Sequence, residues 1–271
     1  MREERVETVA EMRIVSLAPS ATAILCAVGA RRALVGVTKW CADVARVGGL
    51  PRVGDCWHIG SVEAVLRLRP TLVIGSVPYK AETVVKLLEQ PGNFFATNPR
   101  TLLDVERDVR MLAGLVGRAE AGARVVERMR REFAKIATLA RRAMRARKIT
   151  EPTRVYCEAW PNPRISSPPW VAELVELCGG KMVVESGARV SNEEVAAAAP
   201  EVMVLAWAAT GAKAKAQRAY AVAAWKNVPA IRERRVFVVR DELLNTPGPP
   251  LVDGAKKLYG ILHGAEGQRK H

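Results

Sequence analysis

No apolar run in these 271 residues reaches the roughly 18 needed to cross a bilayer, so no transmembrane segment is expected. Aromatic residues make up only 5% of the chain and histidine occurs three times. A site built from rings or imidazoles must therefore use a few identifiable positions. The five cysteines form no C-x-x-C pair, which fits a reduced compartment with at least one free thiol. There is no P-loop, no G-x-G-x-x-G after a first strand, no nucleophile elbow, no H-E-x-x-H and no paired-carboxylate constellation. The chain reads as a binder, not an enzyme, with no catalytic residues and no cofactor of its own. Helix-turn-helix, zinc-finger and aromatic RNA-binding signatures are missing as well, so no nucleic-acid partner is expected despite a net charge of +14. The amino terminus, MREERVETVAEMRIVSL, lacks the apolar centre of a secretion signal, which as written places the chain in the cytoplasm.

What is present is ample apolar content, 49%, in a length that suits one large domain or two of 100 to 150 residues. Much of the positive charge falls in one segment, Arg118 to Lys148, interleaved with Ala and Leu at helical spacing, and reads as the solvated face of a long helix. Elsewhere short apolar strands alternate with helices. Strands are predicted over 13–17, 33–37, 71–75 and 93–97, and again over 154–159, 181–185, 201–207 and 235–239. Between them lie helices over 21–29, capped by Ser20 and stopped by Gly29, then 61–69, 80–89, 170–178, 192–199 and 250–263. Strands that are apolar throughout argue for parallel sheets covered on both faces. From 102 to 148 the strand signal vanishes and one long helix is expected. The predicted organisation is an N-terminal α/β lobe (1–100), a connecting helix (101–150) and a C-terminal α/β lobe (151–271). An internal echo supports two related lobes: Ser61, Glu63 and Pro70 recur as Ser191, Glu193 and Pro200, each 130 residues on.

In open parallel sheets, ligands bind beyond the carboxyl ends of the strands. Trp40, Trp57, Trp160 and Trp207 fall there, whereas Trp170 and Trp225 fall inside helices and read as core. Broad indole faces suit a large, flat, partly apolar ligand. Cys41, Cys56, His58 and Cys157 share the same loops. Their spacing fits no zinc pattern, so no metal site is assigned; His58 reads either as an ordinary loop histidine or as a group approaching a metal carried by the ligand. Asp241 and Glu242, after the last strand, suit hydrogen bonding to a ligand or capping of the next turn.

The segments RIVSLAPSATAIL, SVEAVLRLRPTLVIG, ELCGGKMVV and SNEEVAAAAPEVMVL together resemble the helical-backbone (class III) substrate-binding proteins of ABC importers, over residues 13–263. The loops VTKWCAD and DCWHIG are most similar to the vitamin B12 branch. The resemblance implies two Rossmann-like lobes with parallel sheets joined by one long α-helix, and a bulky metal chelate, a corrinoid carrying cobalt, held in a cleft between them. Haem or a siderophore, carrying iron, is the alternative ligand. By position Trp40, Trp57, Trp160, Trp207 and His58 would face the ligand, and Asp241, Glu242, Asn245 and Thr246 would offer polar contacts. Glu63 and Glu193 would dock on a permease; a solvated first-turn glutamate, favoured by the helix dipole, is the other reading of both. A monomer without membrane insertion is expected. The family is extracytoplasmic, whereas this chain as written shows no signal. Tyr259 also stands where some relatives carry a cysteine partner for the position of Cys178. A cytosolic carrier or sensor of the same fold, or an enzyme acting on a metal chelate, therefore remains an alternative.

Overall fold

The computed structural model describes residues 12–55, 62–210 and 213–264. The chain forms two compact units, one comprising Met1–Pro99 and Leu103–Glu127, the other Arg100–Leu102 and Arg128–His271.

In the first unit β1 (Ile14–Ser16), β2 (Leu34–Val37), β3 (Leu72–Ser76) and β4 (Asn93–Thr97) form a parallel sheet in the order β2-β1-β3-β4. Every residue of β1 and β3 is buried. This is why their sequences are apolar without alternation: both faces of a parallel strand meet other elements. Helix α1 (Pro19–Ala27) follows β1, α2 (Val62–Leu66) precedes β3, and α3 (Ala81–Leu88) links β3 to β4. Helix α1 starts two residues before its predicted position. Pro19 occupies its first turn, where the missing N–H costs nothing, and Ser20 lies inside the helix while Ala18 takes the N-cap position without a side-chain bond.

The single long helix expected after residue 101 is two helices, α4 (Leu102–Leu115) and α5 (Ala119–Ala146). Gly117 adopts φ +64, a left-handed conformation that ends α4, and the Arg118 amide turns back to donate to the Ala113 carbonyl at 2.7 Å. Helix α5 then runs unbroken through the division between units at Glu127 and Arg128.

The second unit contains β5 (Thr153–Pro161), β6 (Arg164–Ser166), β7 (Gly180–Met182), β8 (Val202–Leu205) and β9 (Val236–Val238). The sheet order is β6-β5-β8-β9, with β7 also paired to β5. All pairings are parallel except β5 with β6, a hairpin that lengthens β5 past its predicted end to Pro161. Helices α6 (Pro169–Leu177), α7 (Asn192–Ala197), α8 (Gln217–Tyr220), α9 (Pro229–Arg232) and α10 (Leu251–His263) complete it. Trp225, Tyr156, Met203 and Leu205 sit at the centre of its core, and Trp170, on α6, is buried as well.

The sequence echo is a structural one. Helices α2 and α7 begin at Val62 and Asn192, and β3 and β8 begin at Leu72 and Val202. Between each pair a non-glycine residue is left-handed, Arg69 (φ 46) and Ala199 (φ 42). All three pairs are 130 residues apart. Each unit also supplies an arginine just before or at the start of its central strand, Arg13 or Arg154, that donates to carbonyls of the turn following that helix: Leu68 and Arg69, or Ala198 and Ala199. The turn between helix and strand is thus held by the same device in both units. Ser191 closes α7 with a full capping box to Glu194; its counterpart Ser61 lies outside the described residues.

Candidate functional site

In the first unit the strand ends carry a small polar cluster beside one half-buried ring. Thr38 ends β2 and caps the short turn Lys39–Asp43, its hydroxyl accepting from the Trp40 amide at 3.1 Å. Trp40 is half-buried, with the Lys39 ammonium 4.5 Å from its ring centroid. Cys41 turns inward beside it, where Thr22 donates to its Sγ at 3.0 Å and Thr38 Oγ1 lies at 3.2 Å. Burial pushes its thiol pKa up, so Cys41 stays protonated and behaves as a core residue. Trp57 and His58, with Cys56, lie outside the described residues. Beyond β3, Tyr79 is half-buried with its hydroxyl donating to the Thr97 carbonyl. Tyr79 thus adds an aromatic residue near a strand end where no tryptophan stands.

In the second unit the tryptophans divide. Trp160 belongs to β5 and is 38% exposed, its Nε1 donating to the Asn162 carbonyl at 2.8 Å. Trp207, expected to face a ligand, is instead 3% exposed and packs in the core with Tyr156 and Trp225. Its Nε1 donates to Glu158 at 2.7 Å, and the Arg218 guanidinium lies 5.4 Å from the ring centroid. Both indole faces are therefore covered by protein. The residue that draws it inward is Glu158, wholly buried within β5, which also accepts from the Tyr156 hydroxyl at 2.7 Å and pairs with Arg164. Arg164 in turn donates to Asn192 at 3.0 Å and stacks 4.3 Å from the Trp225 centroid. Burial, then the neighbouring Glu158 carboxylate, raises the Tyr156 pKa far above the usual phenol range. This network has no sequence motif; only the acidic residue inside the strand sequence RVYCEA hints at it.

The loop after β9 keeps its predicted polar character. Asp241 accepts from the Ala209 amide at 3.1 Å and, through its carbonyl, from the Asn245 amide at 2.7 Å. Asn245 donates its side-chain amide to the Ala206 carbonyl at 2.6 Å, and Thr246 is buried. Glu242 is 7% exposed and pairs with Arg240 through Oε1. Its Oε2 and the Asn245 Oδ1 are buried acceptors without a hydrogen-bond partner, as is the Ser167 hydroxyl ahead of α6. Trp170 pins this loop, donating to the Leu244 carbonyl at 2.8 Å. Gly254 lets α10 close on it: a Cβ there would sit 2.0 Å from the Leu243 oxygen.

Glu63 and Glu193 are both exposed in the first turns of α2 and α7, equivalent places in the two units. Cys26, Cys41, Cys157 and Cys178 are free thiols, and burial raises Cys178 to about 12. Among the described residues no three His, Cys, Asp or Glu side chains are placed to hold a metal ion, and no helix is long and apolar enough to cross a membrane.

The periplasmic binding protein family matches residues 14–243. The chain is 27% identical over 249 residues to the vitamin B12-binding protein of Vibrio parahaemolyticus, covering 88% of this chain and 84% of that one. It is 25% identical to an uncharacterized ABC transporter substrate-binding lipoprotein of Bacillus subtilis over 93% of this chain and 80% of the relative. Among solved structures it is similar to the periplasmic heme-binding protein RhuT from Roseiflexus sp. RS-1 in apo form, with a TM-score of 0.75, 25% identity and coverage of 92% and 98%.

Proposed function

The chain belongs to the periplasmic binding protein family, and from that premise we propose that it is the substrate-binding component of an ABC importer whose cargo is a corrinoid. The family is one of non-enzymatic binders that work outside the cytoplasmic membrane. Relatives of this chain are named for vitamin B12 and for heme, so the family alone leaves the two cargoes level.

The observation that carries the choice is the pair of buried, unpartnered acceptors in the loop after β9, Glu242 Oε2 and Asn245 Oδ1. A buried acceptor without a donor costs about 1–3 kcal/mol, so these oxygens favour a partner, a water or a ligand reached by a small opening of the loop, that supplies N–H or O–H groups. The amide-bearing rim of a corrin ring supplies them. Haem presents carboxylates, which bring acceptors to acceptors and a negative charge to the Glu242 carboxylate. Each unit carries one half-exposed indole, Trp40 or Trp160, whose apolar face is of the kind a macrocycle packs against. The metal belongs to the cargo. Glu63 and Glu193, exposed at matching places in the two units, serve as the contacts with the permease, and the protein works as a monomer.

The test is a titration with cobalamin, cobinamide, haem and a ferric siderophore, followed by tryptophan fluorescence. Quenching by both corrinoids, weakened in Trp160→Ala, is the expected result. Tight binding of haem with no response to either corrinoid overturns the assignment of cargo while leaving the family intact.

A further inference from the structure

The exposed side of α5 carries a feature that ligand binding does not use. Met129, Phe133, Ile136 and Ala140 are buried and define the inward face of the helix. Opposite them Arg128, Arg131, Lys135, Arg142 and Arg145 are all exposed. Their spacing of i, i+3, i+7, i+14 and i+17 places them in one stripe about 26 Å long at 1.5 Å per residue. From residue 133 to residue 148 the chain has six Lys or Arg and no Asp or Glu. The carboxylate at the edge of the stripe, Glu132, pairs with Lys135 at 2.7 Å and approaches Lys256 of α10 at 3.9 Å. Leu139, 45% exposed, adds an apolar side chain along this cationic surface.

The helix dipole favours cations in the last turn, which accounts for Arg145 but not for the four that precede it. A helix face kept merely soluble carries both signs interspersed, as the acidic residues Glu120 and Glu127 do earlier in α5. We infer that residues 128–145 of α5 form a peripheral docking surface for a bilayer rich in anionic phospholipid headgroups. Cations in a single row along a straight rod meet the phosphates of a plane all at once, and the Leu139 side chain can enter the headgroup layer. A row of cations also attracts nucleic-acid phosphates, but sequence readout of a duplex or stacking on a single strand calls for groove-reading or aromatic groups. The stripe contains none, and the aromatic residue of this segment, Phe133, faces the core. The inference does not rest on the identity of the cargo.

The test is co-sedimentation of the full chain with phosphatidylcholine vesicles, with and without phosphatidylglycerol, at low and high salt. Binding is expected only with phosphatidylglycerol and is expected to weaken with salt. At roughly fivefold in partitioning per cation, the triple variant R128E/K135E/R142E should lose at least about a hundredfold. The variant R32E/K86E/K226E changes net charge equally at exposed positions outside α5 and should retain most of the binding. Matching thermal melts by circular dichroism show that the variants remain folded. Equal losses in the two triple variants, indifference to phosphatidylglycerol, or ready displacement from the vesicles by duplex DNA would each overturn the inference.

Discussion

Trp207 points its indole N–H at the buried carboxylate of Glu158, 2.7 Å away, and this bond ties the segment after β8 to β5 from inside the second unit. Glu158 is saturated by Trp207, Tyr156 and Arg164, so its charge is tolerated where an isolated carboxylate would not be. Trp207→Phe removes one donor and part of the buried ring volume, and should cost about 2–4 kcal/mol in urea denaturation. Arg164→Ala strands the carboxylate and should cost more, about 3–5 kcal/mol. Because Trp207 is covered, Trp207→Phe should preserve ligand-induced fluorescence quenching; loss of that signal without loss of stability would return Trp207 to the site.

Glu242→Gln is the sharpest probe of the ligand. Gln can still accept from Arg240 but can present a donor where Glu242 Oε2 has no partner. Corrinoid affinity should fall by about tenfold to a hundredfold, since each donor–acceptor mismatch costs about 1.5–3 kcal/mol. Stability without ligand should change little, because an unpaired buried acceptor is exchanged for an equally unpaired donor and the ion pair that loses its charge involves a half-exposed Arg240. Isothermal titration and denaturation of the same variant separate the two effects.

Gly254→Ala tests whether α10 holds that loop in place. Its Cβ would meet the Leu243 oxygen at 2.0 Å, backbone against backbone, so one element must move. A loss of about 2 kcal/mol is expected in thermal or urea melts, with a weakened ligand response because residues 241–246 shift. A variant as stable as the parent, with ligand binding intact, would show that the loop is held elsewhere.

Asp108 gives a pH signature. Burial on α4, with the Asp104 carboxylate one turn away adding to it, raises its pKa to about 6. The folded state therefore holds this proton over a range where the unfolded chain has released it. Stability contributed by the protonated form is complete below the unfolded carboxylate range, declines as pH rises towards about 6 and is flat above. Since the side chain is partly exposed, screening limits the change to about 1 kcal/mol. Asp108→Asn should raise stability at neutral pH by that amount and flatten the profile between the two pKa values; an unchanged slope would place Asp108 in water.

Much of the fold is legible in the chain because it rests on local rules. Runs such as TLVIG and EVMVL have no polar residue to turn towards solvent, and so announce strands covered on both faces. The 130-residue echo that unites Glu63 with Glu193 survives into the structure as matched helix starts, matched left-handed residues before Pro70 and Pro200, and matched arginine bonds to the turn. The break at Gly117 is less legible, because apolar spacing runs straight across it and only the left-handed glycine decides it. The hairpin of β5 with β6 escapes notice for a related reason: Asn162 and Pro163 read as an ordinary loop, yet they turn the chain back on itself.

The sequence by itself determined the strand–helix order, the two-unit plan, the family, and which loops hold the polar and aromatic groups. Only the tertiary structure decided which of those groups are available. Trp160 and Trp207 both stand at strand ends. One is exposed and the other is core, because the buried carboxylate of Glu158 reaches only the second. Glu242 and Asn245 look like any polar loop residues until their neighbours are in place, when an oxygen of each is left buried without a donor. Periodicity records which face of an element is apolar. The satisfaction of a particular hydrogen bond depends on partners tens of residues away, and that information exists only once the chain has folded.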